Sequence, residues 1–247
     1  MSGISKTKFQ KAKKNRIFQD VVDQIQEAIL TQQLNQGDKL SPERELCETF
    51  NISRGTLREA LRVLEYKGLL EIKLGTGGGA IVKSAGMEQI TETLALLIKF
   101  GKVSIIDIGE FRAVIEGQIA RLAAQKASKK DIIILDKLIM ELEHYKKLGL
   151  DAWDDFLQID QKIHKELANI SGNMIYKYVD DVVHDNIHRY FDKYLEITHS
   201  RLDENFSDLK SLVLAIKEKD CSLAENIAIK HVKTFISIMR KKEAVIA

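Results

Sequence analysis

Pro42 is the only proline in 247 residues, and just 14 glycines accompany it. A chain so poor in residues that lock or free the backbone has little material for β-turns, so helices must carry most of it. The length suits one large domain or two ordinary ones. No apolar stretch reaches the roughly 18 residues that a membrane span needs. The start MSGISKTKFQKAKKNR is basic, and no apolar segment of signal-peptide type follows it, so the expected location is the cytoplasm. Cys47 and Cys221 stand far apart, outside any C-x-x-C, and read as reduced structural thiols.

Charge and periodicity divide the chain. Residues 1–83 hold 14 Lys and Arg against 10 Asp and Glu, and the remainder holds 24 against 26. A basic front on a mildly acidic back fits an anion-binding module joined to something else. Lys6, Lys8, Lys11, Lys13 and Lys14 read as a solvated tail, with loose phosphate contact as the alternative. Val21, Val22, Ile25, Ala28 and Ile29 then recur at a helical period. Ser41 is the expected cap of a short helix, 42–50, that opens on Pro42 and buries Leu46 and Phe50. Ser53 is the natural cap of the next helix, 54–67, with Leu57, Ala60, Leu61 and Leu64 as its inner stripe and Gly68 as its stop.

LLEIKL and AIVK read as two short strands joined by GTGGG. Helix, short helix, turn, basic helix and glycine-tipped hairpin follow the order of a winged helix-turn-helix. Beyond residue 86 the pattern is helical throughout, with candidate helices at 87–100, 104–126, 128–148, 151–170, 174–198, 202–219 and 222–242. Ser104, Ser128 and Ser222 are the expected caps, and Gly149 and Gly172 the expected stops. Short connections between such helices imply an antiparallel bundle. The expected fold class is therefore mostly α: an N-terminal winged helix-turn-helix with a small β-hairpin wing, and a C-terminal all-α antiparallel bundle. The expected divisions are a flexible basic tail (1–15), a DNA-binding domain (16–83), a linker (84–87), and an all-helical effector-binding and dimerisation domain (88–242).

The major groove admits one α-helix, whose amino-terminal side chains reach base edges. Arg54, Thr56 and Arg58 stand at that end of the basic helix, and Gly55 lets its backbone come close. The plain alternative is that Arg54, Arg58 and Arg62 form a solvated face paired with Glu59 or Glu65. The stretch LSPERELCETFNISRGTLREALRVLEYKGLLEIKLGTGGGAIV resembles the DNA-binding domain of the GntR superfamily of bacterial transcription regulators. The resemblance rests on E-R-E-L, S-R-x-T-L-R-E-A-L, L-x-x-x-G-L-L and the glycine wing. It implies operator contacts by Arg44, Ser53, Arg54, Gly55, Thr56 and Arg58, with wing glycines including Gly75 and Gly77 at the minor groove. Leu74 stands where relatives often carry a polar residue, which argues against base reading by that side chain.

DQKIH places Asp160 and His164 four residues apart on one helix face, a workable spacing for two metal ligands or for two solvated side chains. EFRAVIEGQIARLAA, DQKIH with NISGN, and LAIKEKDCSLAENIAIKH resemble the FCD effector domain of the FadR-like branch of the same superfamily. That resemblance implies a divalent metal ion of the zinc, nickel or manganese class, held by Asp160, His164 and His231. Leu209 occupies the position of the further histidine, and a leucine ligates nothing. His184 and His188 lie one turn apart, and one of them is a candidate substitute. The alternative is a metal-free pocket in which His164 and His231 face an organic ligand.

Arg112 is implied as the residue that grips a carboxylate effector, because a guanidinium fork matches two carboxylate oxygens. Its alternative is an intrahelical pair with Glu116 or Glu110, of which only the first, four residues on, has favourable spacing. Asn173 is either a further ligand contact or a helix-turn residue. The expected function is a homodimeric, ligand-responsive regulator that binds a palindromic double-stranded DNA operator and a small carboxylate; the resemblance implies a repressor relieved by its ligand as the more usual case, and the sequence does not fix the sign. No enzyme activity and no membrane association are expected. The competing readings are a metal-dependent hydrolase tethered to DNA and an effector-free architectural DNA-binding dimer.

Overall fold

The computed structural model describes residues 16–75, 77–83, 87–188 and 198–246. The basic tail 1–15, residues 84–86 of the expected linker, and the end of the helix expected at 174–198 lie outside the described residues. The chain divides into two compact units, Met1–Gln89 and Ile90–Ala247.

The first unit holds α1 (Arg16–Leu30), α2 (Glu43–Phe50), α3 (Arg54–Tyr66), β1 (Leu70–Lys73) and β2 (Gly79–Val82). Val21, Val22 and Ile25 of α1 and Leu57, Ala60, Leu61 and Leu64 of α3 form its core, closed by Leu40, Leu70, Ala80 and Val82. The i, i+3, i+4, i+7 stripe on α3 is what a half-buried helix requires. Ser53 caps that helix, its Oγ accepting from the Thr56 amide at 3.2 Å. Ser41 does not cap α2. Pro42 is the cap residue itself, in extended conformation (φ −52°, ψ 144°), so the helix starts one residue later than expected and has no side-chain cap. Leu46 and Phe50 are only half-buried, because α2 lies across the outside of the core. β1 and β2 pair antiparallel, with Leu70 opposite Val82 and Ile72 opposite Ala80. At the tip a Cβ on Gly78 would meet the Lys73 carbonyl oxygen at 2.2 Å, so only glycine fits.

The second unit is helical among its described residues: α4 (Glu88–Lys99, which begins just ahead of the unit boundary), α5 (Ile105–Lys126), α6 (Lys129–Leu148), a 3-10 turn (Gly149–Ala152), α7 (Trp153–Ser171), α8 (Met174–His188), α9 (His199–Lys217) and α10 (Cys221–Ile246). Ser104 and Ser128 each form a full capping box, with Asp107 and Asp131 respectively. The serine amide bonds hold both carboxyls below the usual range. Ser222 lies inside α10, and Asp220 takes the capping role expected of it, its Oδ1 accepting from the Leu223 amide at 2.9 Å. Gly149 and Gly172, both at positive φ, end α6 and α7.

α5 packs along α10 through a row of small residues, Gly109, Ala113 and Gly117, spaced four apart on one ridge. A Cβ at Gly109 would meet Ile236 Cγ1 at 2.4 Å, and one at Gly117 would meet Ile229 Cγ1 at 2.7 Å. Gly109→Val is therefore expected to destabilise the protein by about 1–3 kcal/mol despite valine's lower backbone entropy cost. Urea unfolding measures this, and an unchanged midpoint would mean that the two helices separate freely.

Candidate functional site

The basic end of α3 is solvent-facing. Arg54, Gly55, Arg58 and Arg62 are exposed, whereas the opposite stripe is buried. The Thr56 hydroxyl lies 2.9 Å from Ser53 Oγ, so the cap also orients a polar group at the helix start. Arg58 Nε lies 3.0 Å from Glu43 Oε2 on α2, and Arg44 Nε 3.8 Å from Glu48 Oε1. Both pairs are largely exposed and hold their arginines by at most about 1 kcal/mol, so an anionic partner can recruit either. The wing tip carries exposed Gly75 and Gly77, and Leu74 is 93% exposed. Lys39 Nζ donates to the Gly77 carbonyl at 2.7 Å and anchors the tip to the helical part of the unit.

In the second unit four helices, α5, α7, α8 and α10, converge on a buried polar cluster. His164 on α7 lies at its centre: Nδ1 is 2.9 Å from Glu116 Oε2 on α5, and Nε2 is 3.7 Å from Asp160 Oδ2 one turn back on α7. The His231 ring of α10 stacks 5.5 Å from the His164 ring, and the His184 ring of α8 lies 4.8 Å from it on another side. Asp160, His164 and His231 thus offer three donors within 4.8 Å of one another, and so do Glu116, His164 and His184. His184 does not replace the histidine missing at 209. Its Nε2 lies 3.1 Å from Glu116 Oε1, which can only accept, and it belongs with Glu116 and His164 rather than with Asp160 and His231. The side chain of His188 lies outside the described residues. Leu209 is wholly buried in the apolar core of the bundle.

The electrostatics of the cluster follow from its burial. Burial alone would raise Glu116, but Arg112, His164 and His184 overcome it and hold the carboxyl well below the usual range. Burial opposes charge on His164, yet the Glu116 carboxylate and its hydrogen bond raise that group to about 9. Burial and the Arg112 guanidinium push His184 down to about 4. Burial and Glu116 push Asp180, one turn before His184, up to about 8.

Beside this cluster lies a cavity of about 60 Å³. At roughly 10–15 Å³ for each water centre, that is room for several waters or a small acid. Arg112, Asp160, Asp208 and His231 line one part of its wall, and Arg201, Glu204 and Asn205 of α9 another, with Trp153, Leu157 and Phe235 among the apolar remainder. Arg112 pairs through Nε with Glu116 Oε1 at 2.5 Å, which is the intrahelical pairing weighed as its alternative, and it also faces the cavity. Asn173 is exposed and does not line the cavity. Its Oδ1 accepts from the Ile175 amide at 3.0 Å, starting α8.

Sequence reading missed Asp208 and Asp180. A usable signal was present: DDVVH at 180–184 repeats the D-x-x-x-H spacing of DQKIH, and Asp208 directly precedes the conspicuous Leu209.

Comparison with known proteins agrees with this architecture. The model of the bacterial regulatory proteins of the gntR family matches residues 18–79, and that of the FCD domain matches residues 107–234. The Glc operon transcriptional activator of Escherichia coli strain K12 is 29% identical over 171 residues, 67% of this chain and 65% of that protein, so the match spans just under two thirds of that relative's length. The Uxu operon regulator of Haemophilus influenzae is 27% identical over 247 residues, covering 94% of this chain and 88% of the relative. The solved structure of Streptococcus agalactiae GntR shares the fold, with a TM-score of 0.65 at 24% identity, covering 89% of this chain and 99% of that one. Both named relatives are operon regulators rather than enzymes. With the FCD match alone spanning more than half of its length, the chain belongs to the gntR family of bacterial regulatory proteins, in the branch that carries an FCD domain.

Proposed function

We propose that the protein is a homodimeric transcription regulator of the cytoplasm. Residues 16–83 bind the half-sites of a palindromic operator, and residues 88–242 bind a small carboxylate beside a divalent metal ion of the zinc, nickel or manganese class. The observation that carries this reading is α3: a fully buried apolar stripe on one face, and exposed Arg54 and Arg58 at the amino-terminal end of the other. Arg44, Ser53, Gly55 and Thr56 serve the same surface, with Gly75 and Gly77 at the wing tip. No helix among the described residues is long and apolar enough to cross a membrane.

Asp160, His164 and His231 suit a metal ion by two observations. Their donor atoms converge, and Asp160 Oδ1 and His164 Nε2 are buried without a hydrogen-bond partner. A carboxylate and two imidazoles form a donor set for such ions, with further positions open to water or an effector. Bound there, the ion would supply a Lewis-acidic anchor for a carboxylate. Arg112 faces the same cavity, meets Glu116 through Nε and His184 through Nη2, and keeps its remaining guanidinium N–H groups for that ligand. The ligand changes operator affinity to the extent that it binds the DNA-competent and DNA-incompetent states unequally.

A gel-shift with the region upstream of the protein's own operon tests the central claim. Binding that resists competitor DNA is expected, and its absence refutes DNA-specific regulation. Rising expression of that operon on deletion of the gene is the expected sign, that of a repressor. A thermal-shift screen of organic acids tests the effector. A true ligand at about a hundred times its Kd adds about 2.7 kcal/mol of stability, and a screen without any shift favours an effector-free DNA-binding dimer.

A further inference from the structure

We infer that Glu116 and Asp208 are the positioning residues of the metal site, each holding Nδ1 of one histidine so that its Nε2 is presented to the ion. The inference rests on the metal reading of Asp160, His164 and His231. An imidazole ligates through one nitrogen, and the group that accepts from the other sets its tautomer and ring angle. Glu116 stands in place for that role on a different helix: Oε2 lies 2.9 Å from His164 Nδ1, an ion-pair contact in which that oxygen makes no aligned hydrogen bond, with both side chains 3% exposed. The other nitrogen, His164 Nε2, has no hydrogen-bond partner and faces Asp160.

The same plan recurs at His231. Its Nδ1 lies 3.6 Å from Asp208 Oδ2, an ion-pair rather than a hydrogen-bond distance, and that buried oxygen makes no hydrogen bond, while Lys230 Nζ lies 3.3 Å from Oδ1. Neighbours on a helix point about 100° apart. With Leu209 committed to the apolar core, Asp208 on α9 is turned toward the cavity and His231.

The two convergent donor sets share His164, and Arg112 decides between them. Its Nε occupies Glu116 Oε1, and its Nη2 lies 3.5 Å from His184 Nε2. The positive charge that an ion would bring to Glu116 and His184 is already there. Glu116 therefore supports the site, and Asp160 on the far side ligates. Bound to an ion through Nε2, His164 would keep its Nδ1–H directed at Glu116.

The test measures zinc affinity of the full chain by competition with a chromophoric chelator. Glu116→Gln and Asp208→Asn are each expected to weaken binding about 10–100-fold. Asp180→Asn, in the same buried cluster but 3.5 Å from His184 instead, is expected to leave it unchanged. A long-range proton–nitrogen spectrum of the zinc-loaded wild type should show His164 protonated at Nδ1 and metal-shifted at Nε2. The reverse tautomer overturns the inference, as does wild-type affinity in both carboxylate variants, or an equal loss in Asp180→Asn. If Glu116→Gln fails to fold, Asp208→Asn and the wild-type spectrum decide. Absence of zinc binding by the wild type rejects the metal reading itself, a separate outcome.

Discussion

Replacing Arg54 with alanine is expected to abolish specific operator binding while leaving the fold intact. The side chain is exposed at the start of α3, touches none of the buried stripe, and should change stability by no more than about 0.5 kcal/mol. An arginine that reads guanine through two hydrogen bonds contributes about 1–3 kcal/mol of discrimination. Two recognition helices acting on one palindrome double that to roughly 2–6 kcal/mol, or about thirtyfold to well over a thousandfold in Kd. Gel-shift titration of the variant, with melting temperature as the control, makes the measurement. Arg121→Ala is the internal comparison: this residue pairs with Glu225 at 3.1 Å in the helical unit and should leave operator affinity unchanged. Equal affinity in Arg54→Ala and wild type would assign the basic face of α3 to solvent.

Replacing His164 with alanine should remove the metal and much of the stability of the helical unit. Elemental analysis of protein purified without chelator is expected to find an ion in the wild type and none in the variant. His184→Ala should retain it, because His184 sits with Glu116 rather than with Asp160 and His231. Stability falls for a second reason. His164 is one of the cationic partners that keep the buried Glu116 carboxylate ionised, and breaking a buried pair costs about 3–5 kcal/mol. Urea unfolding in excess chelator isolates that effect from metal loss. An unchanged unfolding midpoint there would mean that Arg112 and His184 suffice for Glu116.

What could be read from sequence was what is encoded locally. The caps at Ser53, Ser104 and Ser128 depend on residues within three positions, and the stripe on α3 on residues within seven. Where two neighbouring residues competed for one role, local reading chose wrongly, as with Ser222 against Asp220 and Ser41 against Pro42. Asp160, His164 and His231 were legible through the resemblance, and the structure brings their donors together. The placement of His184, Asp180 and Asp208 was not, because it depends on the rotation of α8 and α9 about their axes. That rotation is set by packing across the bundle. Leu209 shows the limit well: its sequence position marked it as a missing ligand, and only the packing shows it filling the core while its neighbour turns inward.

The glycine ridge on α5 has a consequence for anyone redesigning the ligand preference of this protein. Arg112 and Glu116 lie between the two close contacts at Gly109 and Gly117, so their height along α10 is clamped from both ends. Arg201, Glu204 and Asn205 border the same cavity from α9, whose sequence holds no glycine. If the cavity takes the proposed carboxylate, the first wall is the frame that would keep it anchored, and the second is where libraries of substitutions should be directed to accept acids of other shapes.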